Sequence, residues 1–173
     1  MKKSILCALA AVCLLSAQAK KAVPAVYISS SDIQTTLKKA PADSVLDQQI
    51  SMVEAGSVRV GVGVVHRSAK AEQTSISHDE LTEIYHILSG SGTLVTGGTL
   101  VKPQRIPPDS TTVKDLAGPS LRGSDVANGN SRTVGAGDVV IIPAGTPHYF
   151  SKIEGAIDYE VMRVDPGRLL SLK

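Results

Sequence analysis

The chain has 173 residues, 42% of them hydrophobic and 20% charged, enough for one ordinary domain and unlike a disordered tail or a fibre. It has no Trp, a single Phe and a formal net charge of +2, which leaves neither a basic stripe nor a stacking platform for nucleic acid.

Lys2 and Lys3 precede an apolar run from Ile5 to Leu15 that ends in Ala17-Gln18-Ala19. Residues 1–19 read as a secretory signal, too short to span a bilayer well and followed by polar sequence. Cleavage after Ala19 would give a secreted or periplasmic protein of residues 20–173 with no membrane span. Its charge would be formally balanced, because Lys2 and Lys3 supply the excess. Cys7 and Cys13 are the only cysteines, and both fall in the signal. The exported chain would carry no thiol, which excludes cysteine nucleophiles, thiolate zinc sites and disulfide frameworks.

Residues 20–44 read as a leader and a helix. Ser30 or Ser31 can cap a helix over Asp32 to Lys39, with Asp32 early, Lys38 and Lys39 late, and Pro41 ending it. From residue 45 the period switches to two. In Val58 to Val64 the valines alternate, which predicts a half-buried strand with Val58, Val60, Val62 and Val64 on the core face. Glu83 to Leu88 and Thr93 to Thr96 flank Ser89-Gly90-Ser91-Gly92, which reads as a hairpin turn. The stretch from about 101 to 135, with Pro107-Pro108, Gly118-Pro119 and Asn128-Gly129-Asn130, reads as a long surface insertion holding at most a hairpin. Val139 to Ile142 is an apolar run stopped by Pro143-Ala144-Gly145, and Ile157, Tyr159 and Val161 alternate with acidic residues. Many short strands, frequent turns and one short helix predict an all-β sandwich or barrel over residues 45–173.

The histidines are His66, His78, His86 and His148. Two of them stand in patterned segments. His78 is followed after four residues by Glu83, and Glu83 after six by Gly90. Gly137, Pro143, Gly145 and His148 form the second pattern. These segments resemble the two signature motifs of the cupin superfamily, G-x5-H-x-H-x3–4-E-x6-G and G-x5-P-x-G-x2-H-x3-N. The first motif is matched only in its second half, since Ile76 stands where its first His belongs and Lys70 where its leading Gly belongs. The second is matched at every position but the last, where Lys152 replaces Asn. The resemblance implies a single cupin-type double-stranded β-helix, a jelly-roll barrel, with a short N-terminal helix. It also implies His78, Glu83 and His148 as ligands of a divalent transition metal (Fe, Mn, Zn or Ni) and denies the usual fourth.

Strand alternation adds to this. If Glu83 points into the barrel, so do Tyr85 and Ile87, while Ile84, His86 and Leu88 point out. The same rule sends Phe150 inward from His148, so Tyr85, Phe150 and Tyr159 are expected to line the pocket. His66 shares a face with the valines and is left with two roles, a hydrogen-bonded core histidine or the replacement fourth ligand. Arg122 and Arg132 read as solvated loop arginines, with an anionic substrate as their other use. Arg163 continues the inward face of Ile157, Tyr159 and Val161. No Gly-x-Ser-x-Gly elbow and no dinucleotide fingerprint occurs. The resemblance thus implies a metal-dependent enzyme on a small molecule, of oxygenase or isomerase/lyase type, or a non-catalytic protein capturing a small molecule or metal in the same pocket. Cupins often pair, and outward Ile84, His86 and Leu88 suit a homodimer face.

Overall fold

The computed structural model describes residues 24–173, so the signal read over residues 1–19 and the start of the leader lie outside the described residues. Helix α1 spans Ser30–Leu37. Its cap is Ser29, one residue before the expected ones: Ser29 Oγ accepts from the Asp32 backbone N–H, and the Asp32 carboxylate accepts from the Ser29 N–H. This reciprocal capping box satisfies two amides at the helix start.

Strands follow in the order β1 (Val45–Ala55), β2 (Val58–Ser68), β3 (Ser75–His78), β4 (Thr82–Thr96), β5 (Thr99–Val101) and β6 (Gln104–Arg105). A single π-helical turn, Thr112–Ala117, precedes β7 (Ser120–Gly123), β8 (Asp125–Ala127), β9 (Asn130–Gly135), β10 (Val139–Ile142) and β11 (His148–Asp165). All strand pairs are antiparallel. The long strands β4 and β11 belong to two walls at once. The C-terminal half of β11 and the N-terminal half of β4 form the centre of a sheet ordered β1-β2-β11-β4-β10. Their other halves form a second sheet ordered β6-β7-β3-β11-β4-β9. Two sheets that share their central strands enclose a jelly-roll barrel, and inward side chains alternate along each strand. Ile87, Ile157, Tyr159 and Val161, each 1% exposed or less, form the middle of the core with Tyr85, Leu94, Ile142 and Phe150.

Three expectations are corrected here. Ser89-Gly90-Ser91-Gly92 is no hairpin turn but a corner within the continuous strand β4. Gly90 has φ +74°, and a Cβ there would lie 2.0 Å from the Ala156 carbonyl oxygen. Opposite it, β11 carries extra residues between Ile153 and Ile157. The glycine and the bulge together bend both strands from one wall into the other.

The second correction concerns β2. Its alternate valines point away from the barrel interior, although Val64 is fully buried and Val58, Val60 and Val62 partly so, and the inward row is Gly61, Gly63, Val65 and Arg67. Register shows this: Gly61 pairs with Arg163, which pairs with Glu83, and Val65 pairs with Tyr159, which pairs with Ile87. The inner row was misread because two of its members are glycines. A Cβ at Gly63 would lie 3.2 Å from Arg163 Nη1, and one at Gly61 within 2.5 Å of Met52 Cε. Glycine here makes room for side chains that cross the strand.

Third, residues 101–135 are not a surface insertion. They build β6, the π-turn, β7, β8 and β9, and bury Ile106, Val113, Ala117 and Val134. Among the described residues no helix is long and apolar enough to cross a membrane.

Candidate metal centre

His78, Glu83 and His148 come from β3, β4 and β11, and the barrel brings one ligand atom of each within 4.8 Å of the others. All three side chains are buried, at 5%, 3% and 2% exposure. Glu83 Oε2 lies 3.3 Å from His78 Nε2 and 3.4 Å from His148 Nε2.

Local structure explains the delivery. The turn after β10 closes with a hydrogen bond from the Thr146 N–H to the Pro143 carbonyl, with Gly145 at φ +77°. The Gly145 N–H donates to the His78 carbonyl at 2.6 Å, so the turn carrying one histidine is tied to the strand carrying the other. His148 then opens β11 directly opposite Ile76. Glu83 sits one residue into β4 and projects inward by parity, as do Tyr85 and Ile87.

The tautomers follow from the partners. His78 Nδ1 faces the Ala117 carbonyl at 3.0 Å and Ser120 Oγ at 2.9 Å, and His148 Nδ1 faces the Thr146 carbonyl at 2.9 Å. A carbonyl only accepts, so each Nδ1 carries its proton and each Nε2 presents a lone pair. Both Nε2 atoms aim at Glu83 Oε2, and His148 Nε2 is buried without a hydrogen-bond partner among the described residues. Two lone pairs and a carboxylate buried side by side repel one another unless a positive charge lies between them. An imidazole proton supplies that charge in an ion-free site. A divalent metal supplies it more fully, and two imidazoles with one carboxylate suit a first-row ion. The residues present therefore fit a metal.

The carboxylate is itself held. Arg163, 2% exposed, donates from Nε to Glu83 Oε1 at 3.1 Å, from Nη1 to Gln49 at 2.8 Å, and from Nη2 to both oxygens of Asp47 at 2.7 and 2.8 Å. The Tyr85 hydroxyl donates to Glu83 Oε2 at 2.9 Å. Burial works to raise the Glu83 carboxyl, but the His78 ring beside it and the Arg163 guanidinium outweigh it and hold the group well below the usual carboxylate range. Burial, then the Glu83 charge, pushes the Tyr85 phenol well above its ordinary value, so it stays protonated as a donor.

The triad faces a cavity of about 340 Å³, lined also by Tyr85, Tyr159, Arg67, Arg122 and Arg163. Phe150 is a correction: it points inward as expected but packs in the core against Tyr159, at 5.9 Å between ring centroids, and does not line the cavity. His66 is another. It lies on the outer face of β2, its Nδ1 2.6 Å from Asp158 Oδ1, and takes no part in the triad. A ligand role for it rested on the misread valine face. His86 is outward, its side chain 40% exposed and 2.9 Å from Glu160. Arg132 is exposed and away from the cavity, whereas Arg122 lines it. Sequence reasoning missed Asp47, Gln49, Arg67 and Ser120. The inward parity of β2, read from its glycines, would have pointed to Arg67.

No protein-family model matches the chain, and no curated protein matches it. Among solved structures it is similar to the DMSP lyase DddQ from Ruegeria pomeroyi DSS-3, with TM-score 0.45 and 19% identity over 76% of this chain and 52% of that one. It is also similar to the Clostridium difficile EutQ protein, with TM-score 0.42 and 15% identity over 82% of each chain. The Schizosaccharomyces pombe Cnp3 cupin domain matches with TM-score 0.44 and 12% identity over 70% of this chain and 61% of that one. The chain thus spans about half the length of the DddQ structure. Two antiparallel sheets sharing β4 and β11, with the first motif ending β3 and opening β4 and the second running from β10 into β11, make this a cupin-fold barrel.

Proposed function

We propose that this protein is an exported metal-dependent enzyme of oxygenase or isomerase/lyase type that acts on a small molecule inside the barrel. One observation carries the reading: three buried ligand atoms converge within 4.8 Å on a cavity of about 340 Å³, and His148 Nε2 has no other partner among the described residues. Three protein ligands leave coordination positions for a substrate, and a cavity of this size takes a small organic molecule. His78, Glu83 and His148 would hold the ion, which supplies Lewis-acid or redox chemistry when bound. Tyr85 keeps a proton at its hydroxyl beside Glu83, and Val65 and Val161 give the cavity an apolar wall.

The test is metal analysis of the purified protein, followed by oxygen uptake and product analysis with phenols, diketones and sugar acids. Bound metal with turnover supports the proposal. Bound metal or ligand without any turnover would favour a capture protein instead.

We further propose a homodimer. On the outer face, Val62, Met162, Ile84 and Ile141 stand in one row across four strands, with Ile141 66% exposed at the edge strand β10. An antiparallel sheet with one face in the core ordinarily turns polar residues outward, and this apolar row suits a second copy.

A further inference from the structure

The cavity holds more positive charge than the triad uses. Arg67, Arg122 and Arg163 all line it. Arg163 is committed to Glu83, Gln49 and Asp47. Arg67 donates Nε to the Tyr159 hydroxyl at 2.9 Å and Nη1 to Gln73 Oε1 at 3.4 Å, both neutral groups. Arg122 makes no side-chain hydrogen bond among the described residues, and neither arginine forms an ion pair among them.

Their placement is specific. Arg122 on β7 lies directly opposite Ile76 on β3, and Ile76 lies directly opposite His148 on β11. One inward row therefore runs metal ligand, apolar residue, arginine. Arg67 approaches the same cavity from the other wall, on β2. The acidic residues of the lining are Asp47, Glu72 and Glu83. They balance the three arginines, so a divalent ion on the triad leaves two uncompensated positive charges. Arg67 is half-buried and hydrogen-bonds only to neutral groups, with Asp47 the nearby charge that acts on it, and Arg122 is exposed at the cavity. The planar fork of arginine matches a carboxylate in two-point fashion. Val45, Val65, Leu116 and Val161 also line the cavity, which favours a carbon skeleton over a bare inorganic anion.

We infer that the substrate is a small carboxylate, its carboxylate group clamped by Arg67 and Arg122 and the rest of the molecule facing His78, Glu83 and His148. The inference rests on the reading of this cavity as a small-molecule metal site and names the substrate class for it.

Isothermal titration calorimetry tests the clamp, with the protein metal-free and again after Mn²⁺ or Zn²⁺ addition. The probes are succinate, malate, the uncharged succinamide and inorganic phosphate. Wild type is expected to bind succinate or malate, with phosphate weaker and succinamide silent. Arg122→Gln, at an exposed position, and Arg67→Gln are each expected to weaken carboxylate binding about tenfold. Arg67→Lys keeps the charge without the fork and should fall between, which separates lost recognition from lost folding. Arg132→Gln, outside the cavity, should match wild type. The clamp is overturned if no carboxylate binds, if both glutamine variants bind as wild type does, or if succinamide or phosphate binds as tightly as succinate. The two readings fail separately. Carboxylate binding by a protein that takes up no metal removes the metal and keeps the clamp. Metal uptake without carboxylate binding does the reverse.

Discussion

Arg163 shows how one side chain couples stability to the site. It lies directly across from Glu83 in the β11–β4 register and ties that ligand to Asp47 and Gln49 on β1. Arg163→Met should leave Glu83 buried and unpaired, and Asp47, still 27% exposed in its side chain, partly so. The expected loss is about 3 kcal/mol in denaturant unfolding of the metal-free protein. Added metal should recover part of it, since an ion at Glu83 replaces the missing charge. An equal loss with and without metal would detach Arg163 from the site. The pH dependence of metal retention follows from the same groups. Glu83 is held ionised well below the usual carboxylate range, so its contribution persists as pH falls and is lost only below that range. The imidazoles must be neutral to bind, so protons compete with the ion and metal affinity should fall as pH falls. A metal affinity that does not change as pH falls would argue against histidine ligation. These ligands could be read from the chain because their spacing is local: His78 and Glu83 flank a short turn, and His148 follows a Pro-x-Gly turn. Asp47, Gln49 and Arg67 could not, because each meets the site only through pairing between distant strands.

Strands β2 and β4 show where pattern reading succeeds and where it turns over. The parity of Glu83, Tyr85 and Ile87 holds because that face carries side chains throughout. In β2 the visible valine alternation marks the outer face, since the inner one gave up its side chains at Gly61 and Gly63 to let Arg163 and Met52 pass. Composition alone favours the valines, and only the partner strands reveal the reversal. The glycine corner of β4 was read as a turn for a related reason: a chain that bends between two walls and a chain that reverses both need glycine. Gly90→Ala tests the corner. A Cβ 2.0 Å from the Ala156 oxygen, at φ +74°, should cost more than about 2 kcal/mol by thermal or denaturant unfolding. A change below about 0.5 kcal/mol would show that β11 yields there freely. The π-turn at Thr112–Ala117 was hidden within a stretch rich in proline and glycine. It matters because its last carbonyl, Ala117, fixes the tautomer of His78.

At the scale of the whole molecule, the barrel was legible from frequent turns and period-two runs, with the two motifs supplying its type. The second sheet was not, because β6 to β9 are short strands whose pairing depends on contacts across the chain. The apolar outer row predicts a dimer by light scattering, and Ile84→Glu or Ile141→Glu should shift it towards monomer; a wild-type monomer at high concentration would remove that proposal. The sequence of residues 1–19 predicts a mature N-terminus at Lys20 in the exported protein, read by intact mass, and a retained Met1 would contradict it. Metal binding depends on the convergence of His78, Glu83 and His148. The direct measurement is metal stoichiometry after reconstitution with iron, manganese, zinc and nickel, on wild type and on His78→Ala, Glu83→Ala, His148→Ala and His66→Ala, with folding checked by circular dichroism. About one ion per chain is predicted for wild type and His66→Ala, with most of it lost from each folded triad variant. A wild-type protein that stays metal-free, or triad variants that keep their ion, would contradict the account.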